Sequence, residues 1–185
     1  MLLLALLPFS PLAIHPAWAE DSDVPTADVK VSLDVPATPE QVFSYLLDFA
    51  HLQSIIPCIG SWEMSQRTFG EGASAMVRYD IAAMHRKLPV SLSRADAPYR
   101  IDLEHLGNLG FTTVISLTAP PSTDGGPVTN VTILTPLNPP PWPIRKYFYD
   151  AVHVEWQKCY ATTLDNLAQA MRSMQTAESV AADTP

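Results

Sequence analysis

IRKYFYDAVHVEWQKCYATTLDNLAQAMRSM, residues 144–174, contains neither proline nor glycine, in a chain that holds 18 prolines and 7 glycines among its 185 residues. Phe148, Val152, Trp156, Cys159, Thr163, Leu167 and Ala170 recur within it at spacings of three and four, the period that gathers side chains on one side of an α-helix. At the α-helical rise per residue such a helix runs for about 45 Å, enough to cross a small domain. A helix with one apolar side must bury that side against another layer, so the preceding sequence decides what the layer is.

That preceding stretch reads as strands. Trp62–Thr68, Ala73–Ala82, Arg86–Ser93, Tyr99–His105, Phe111–Ala119 and Val128–Thr135 are strand-like runs. Gly70 and Gly72, Asp96-Ala97-Pro98, Gly107 and Gly110, and Asp124-Gly125-Gly126 supply turn chemistry between them. Connections this short favour an antiparallel meander, because parallel crossovers need a dozen or more residues. Pro89 lies inside one run, which points to an edge or a bulge there. Upstream, Val29, Val31, Leu33 and Val35 alternate with Lys30, Ser32 and Asp34, the period of a half-buried strand. Thr38, Pro39 and Gln41 then read as helix N-cap, first helical residue and capping-box partner. A short helix opens at Pro39, and a second piece, Phe49–Ile56, ends at Pro57. A proline-rich bridge, 136–143, leads into the long helix. The expected fold is therefore α+β: a curved seven-stranded antiparallel sheet wrapped around a long C-terminal helix, with two short helices after the first strand. The sequence suggests a flexible lead at 20–28, one domain at 29–174 and a disordered tail at 175–185.

Residues 1–19 contain no Asp, Glu, Lys or Arg and pass from the apolar Leu2–Leu7 to Ala17-Trp18-Ala19, the outline of a secretory signal peptide cleaved before Glu20. A membrane anchor is the competing reading, but Pro8 and Pro11 interrupt the apolar run well short of the roughly 20 residues that a spanning helix needs. The expectation is export to a periplasm or the cell exterior. Net charge is −8 and the basic residues are scattered, leaving no stripe for a phosphate backbone, so nucleic acid is not an expected partner. Cys58 and Cys159 are the two cysteines. Their spacing suits no zinc site, and they are open to two readings: one disulfide in an oxidising compartment, or two buried thiols.

The order strand, two short helices, meander, long terminal helix is that of the helix-grip fold. Val35-Pro36-Ala37-Thr38-Pro39-Glu40-Gln41-Val42-Phe43, followed by Leu47-Asp48-Phe49 and Ile56-Pro57, resembles the START-like, polyketide cyclase and coenzyme Q-binding superfamily (SRPBCC). The resemblance extends over roughly 29–174. It implies an apolar cavity between sheet and C-terminal helix that takes a lipid or another hydrophobic small molecule, and it implies no single reaction. Transient membrane contact would accompany such a ligand.

Strand parity and the helix stripe nominate the residues of that cavity. Val77 and Tyr79 face inward on one run, Leu88 on the next, and Ile101, Leu103 and His105 on the run after, with Ile115 beyond. Phe148, Val152, Trp156 and Cys159 come from the helix, and Trp142 is a candidate rim residue in the proline-rich bridge. Trp62, Met64, Val114, Ile133 and Leu134 read mainly as core. Glu155 borders the apolar stripe: turned inward it would be an acid of raised pKa, whereas at the edge it reaches solvent. His105 is either a proton shuttle at the cavity wall or a hydrogen-bonded structural histidine, and the Tyr79 hydroxyl needs a partner. Arg86 either reaches a ligand carboxylate or snorkels to water. No G-x-S-x-G, H-E-x-x-H, P-loop or dinucleotide fingerprint occurs, and neither a metal nor a cofactor is expected. Three functions stay open: an exported carrier for a hydrophobic molecule, a cyclase- or dehydrase-type enzyme using Glu155, His105 and Tyr79, and an interaction module with a filled core.

Overall fold

The computed structural model describes residues 29–81, 84–107, 110–120, 126–136 and 145–182. β1 (Val29–Val35) is followed by α1 (Pro39–Leu46) and α2 (Phe49–Ile55). The meander comprises β2 (Ile59–Met64), β3 (Ser74–Ile81), β4 (Met84–Asp96), β5 (Arg100–His105), β6 (Phe111–Thr118) and β7 (Thr129–Thr135), and α3 (Arg145–Ala182) follows it. All seven strands form one sheet in the order β1-β7-β6-β5-β4-β3-β2, every neighbouring pair antiparallel. α1 and α2 carry the chain from one edge, β1, to the other, β2, and the meander then returns to close against β1. The fold is the expected α+β helix-grip.

Local chemistry explains the first helices. Thr38 Oγ1 accepts from the Gln41 backbone N–H at 3.3 Å, and Gln41 Oε1 accepts from the Thr38 N–H at 3.0 Å, a reciprocal cap that satisfies two orphan donors. Asp48 Oδ1 caps α2 through the Ala50 N–H at 2.8 Å. Thr38→Ala should lower the unfolding free energy by about 1 kcal/mol, read from the urea midpoint, with no change in any ligand affinity.

Pro89 sits in the middle of the sheet order, on β4, rather than on an edge strand. Its position is nevertheless a local edge. The β4–β5 pairing stops at Val90↔His105, so the stretch of β4 before Val90 pairs only with β3. The Pro89 carbonyl accepts from the Leu106 N–H at 2.8 Å just past the end of β5, and the N–H that proline lacks would have faced the same residue, so its loss costs one rung at the end of the β4–β5 pairing.

Val152, Trp156, Cys159, Tyr160, Thr163, Leu164, Leu167, Ala168 and Met171 of α3 are buried. The apolar side is thus wider than one row of three-and-four spacings, because Tyr160, Leu164, Ala168 and Met171 form a second row, while Ala170 is only half-buried. α3 also continues past Met174 to Ala182. The residues beyond Met174 include no proline or glycine before Pro185, so nothing breaks the ladder, and Gln175 Nε2 donates to the Pro36 carbonyl at 2.6 Å. Cys58 and Cys159 form a disulfide with Cα atoms 5.7 Å apart, joining the α2–β2 connection to the middle of α3. Asn166 Nδ2 adds a hydrogen bond to the Ile55 carbonyl at 2.9 Å.

Candidate functional site

Alternation along the strands aims Tyr79 of β3, His105 of β5, Thr113 of β6 and Thr135 of β7 to the face covered by α3, where Tyr160 meets them. All five are buried. Tyr79 Oη lies 2.9 Å from His105 Nδ1, and His105 Nε2 lies 3.1 Å from Thr113 Oγ1. Thr113, Thr135 and Tyr160 close a triangle of hydroxyls at 2.9, 2.9 and 3.2 Å.

A hydrogen count fixes how this network is wired. A neutral imidazole and four hydroxyls supply one donor hydrogen each, and each of the five contacts requires one. With the proton on Nε2, Tyr79 donates to Nδ1, Nε2–H donates to Thr113, and the three remaining hydroxyls donate around the triangle. With the proton on Nδ1, Thr113 must donate to Nε2, leaving the triangle one hydrogen short. The Nε2–H tautomer is therefore the closed one, and in it no donor is left over.

Burial pushes the His105 imidazolium pKa down to about 3, because the charged form loses water and gains no counter-ion. Burial likewise raises the Tyr160 phenol to about 12, against the smaller opposing effect of its threonine hydrogen bonds. Tyr79 is raised well above the ordinary phenol value by burial first and by Tyr160 second. The cluster is neutral at physiological pH. His105 stacks on Phe111 at a ring-centroid distance of 4.1 Å, and Trp156 contacts Tyr79, Phe111 and Tyr160 at 5.3, 5.8 and 5.1 Å.

This cluster borders a cavity of about 30 Å³ between α3, α2 and the sheet. Apart from the cluster's own groups, Thr163 and the Trp62 and Trp156 indoles, the described walls are aliphatic, and no Asp, Glu, Lys or Arg lies among the described wall residues. Thr163 Oγ1 is engaged with the Cys159 carbonyl at 2.8 Å. The volume suffices for two or three water molecules, roughly one per 10–15 Å³, and is a tenth or less of a ligand pocket of roughly 300–1,000 Å³.

Of the residues nominated from the sequence, Tyr79, Leu103, His105, Ile115 and Trp156 line this cavity. Val77, Ile101 and Val152 are buried core residues away from it, and Leu88 is half-buried against that core. Cys159 is likewise off the wall and is held in the disulfide. Arg86 is exposed. Trp142 lies outside the described residues, and so does the side chain of Phe148. Glu155 is at the edge of the stripe: its side chain is 43% exposed, its carboxylate accepts from Lys158 Nζ at 2.7 Å, and it is not on the cavity wall. An unpaired carboxylate stays where water and an ammonium solvate it. Glu155→Gln should consequently leave the affinity for any cavity ligand within about twofold, as expected for losing an exposed pair.

Strand phase points Thr113 inward with Ile115 and Thr135 inward with Val131 and Ile133, and Tyr160 stands one turn beyond Trp156, but none of these patterns says that the three hydroxyls meet. Trp62, read as core, is on the cavity wall, and Leu52, Ile55 and Ile56 bring α2 and its C-terminal end to it. Strand parity says nothing about where a short helix after β1 will dock.

Similarity to solved structures reaches the whole domain. The solution structure of KanY protein superposes with a TM-score of 0.62 at 13% identity, covering 78% of this chain and 96% of that one. A conserved protein from Geobacillus kaustophilus gives 0.58 at 16%, covering 78% and 94%. A protein from Thermus thermophilus gives 0.57 at 16%, covering 79% and 97%. Identities this low speak for the fold alone. Sequence comparison with curated proteins finds no match. The family model described as polyketide cyclase / dehydrase and lipid transport matches residues 26–172, and with the seven-stranded grip around α3 in place, the chain belongs to that family.

Proposed function

We propose that this chain is a binding or carrier protein for a hydrophobic small molecule or lipid, held between the sheet and α3, and that it works outside the cytoplasm. The observation that carries the reading is the composition of the cavity wall: aliphatic and aromatic surface, with the hydroxyl and imidazole groups hydrogen-bonded among themselves. Such a wall gives an apolar ligand burial and little else. At about 30 Å³ the cavity must widen before a ligand enters, so binding is coupled to separation of α3 from α2 or the sheet. An exported location rests on the apolar leader at 1–19, and the Cys58–Cys159 pairing suits an oxidising compartment. Transient contact with a membrane is the proposed route by which a lipid would load.

The test is native mass spectrometry and lipid extraction of the purified protein, with titration of the neutral apolar dye N-phenylnaphthylamine. A co-purifying lipid or saturable dye binding supports the reading. A protein that carries nothing and excludes the dye is an interaction module with a filled core. The Tyr79–His105 contact on the cavity wall favours a second reading, a cyclase- or dehydrase-type enzyme. It predicts that His105→Gln abolishes turnover while binding persists.

A further inference from the structure

Among the described residues, Trp62 Nε1 is the buried side-chain polar atom that finds no hydrogen-bond partner. Its indole N–H can only donate, and a donor left unmet in the interior is destabilising unless something supplies the acceptor. Trp62 stands on β2 opposite Val77, whose buried side chain shares the inward parity of Tyr79. Its ring meets Phe49 edge-on at 5.8 Å, and it forms part of the cavity wall.

The hydroxyl and imidazole network cannot serve a ligand in the same way. Its five donor hydrogens are used in its own five contacts, so it offers a ligand lone pairs and no hydrogen. We propose that Trp62 is the polar anchor of the site, donating its indole N–H to the carbonyl oxygen of an otherwise apolar, uncharged ligand. The inference rests on the cavity being a ligand site. It also sets a specificity against anions. No cationic side chain lies on the described wall, His105 is kept neutral by burial, and a carboxylate taken in there would exchange its water for one neutral indole N–H and no counter-charge, which leaves its desolvation uncompensated.

Three probes separate the possibilities: prodan, a neutral naphthyl ketone dye; N-phenylnaphthylamine, neutral and without a carbonyl; and dodecanoate, apolar but anionic. Wild-type protein should bind prodan with the red-shifted emission of a hydrogen-bonded carbonyl relative to prodan in an aprotic solvent, and dodecanoate should not displace it. Trp62→Phe should weaken prodan binding by about three- to tenfold, the loss of one hydrogen bond, and leave N-phenylnaphthylamine binding within about twofold, since the lost donor makes no bond to that dye. Equal effects on the two neutral dyes, no effect on either, or displacement by dodecanoate overturns the anchor while leaving the carrier reading intact. Failure of both neutral dyes to bind wild-type protein overturns the carrier reading itself. Should Trp62→Phe fail to fold, the emission of prodan bound to wild-type protein decides alone: an aprotic-type spectrum refutes the proposal.

Discussion

Replacing Cys58 and Cys159 together by alanine should lower the unfolding free energy by about 4 kcal/mol. The two cysteines are 101 residues apart in sequence, and every strand of the meander lies between them. Cross-linking a loop of that length removes much of the closure entropy of the unfolded chain, and the chain-entropy account assigns about 4.7 kcal/mol to roughly 100 residues, with typical measured values nearer 2–4. The native side adds to this. Cys159 is buried on α3 between Trp156 and Tyr160, and Cys58 leads directly into β2, so the bond pins the helix to the edge of the sheet farthest from β1. Urea unfolding of wild-type protein with and without reductant, beside the Cys58→Ala, Cys159→Ala variant, measures the effect. Reduced wild-type and variant should share a lowered midpoint, and reductant should not move the variant. A wild-type midpoint indifferent to reductant would remove the bond from the account of stability.

The same bond bears on binding. Ile56, Ile59, Trp156 and Tyr160, which flank the two cysteines in sequence, all line the cavity. Widening the cavity while the bond is intact therefore leaves the Cys58–Cys159 junction of the α2–β2 connection with α3 fixed and must occur away from it.

How far the sequence led can be judged from single residues. His105 was placed inward by the alternation of Ile101 and Leu103, and it is inward, because a strand has only two faces and one of them is covered. Glu155 was ambiguous, since a helix position next to an apolar stripe is set by a rotation of a few tens of degrees that spacing does not specify. The resolving fact, Lys158 within reach, is tertiary only in its exposure and could have been weighed from the i,i+3 pair. The hydroxyl triangle was beyond reach for a different reason. Thr113, Thr135 and Tyr160 come from three elements, and only the register of β6 on β7, Val114↔Leu134, brings the two threonines together. The family likeness correctly supplied the grip and the interior face. The size of the space left there depends on packing that no motif encodes.

Lowering the pH from 7 to 5 should cost about 2 kcal/mol of stability through His105 alone. The sign follows from which state binds the proton. In the unfolded chain the imidazole has its ordinary value of 6.5, whereas in the fold burial holds it at about 3. Between those values the unfolded state is protonated and the folded state is not, so acid pulls the equilibrium toward unfolding. The stability is fully present above the unfolded value and is lost as the pH falls below it, at up to about 1.4 kcal/mol per pH unit, until the folded-state value is reached. Protonation inside the fold gives no relief, because an imidazolium could no longer accept from Tyr79 at Nδ1 and no carboxylate lies on the described cavity wall to pair with it. Carboxylates titrating over the same range blur a single curve, so the measurement is a difference. Urea-derived unfolding free energies of wild-type and His105→Gln are taken at pH 7, 6 and 5; glutamine can retain one hydrogen bond and does not titrate. The variant should be the less stable protein at pH 7, with the gap closing by about 2 kcal/mol at pH 5 as the wild-type loses its advantage. Parallel curves would mean that His105 takes up its proton in the folded protein near the ordinary value, and with that the neutral, hydrogen-saturated network around the cavity would have to be abandoned.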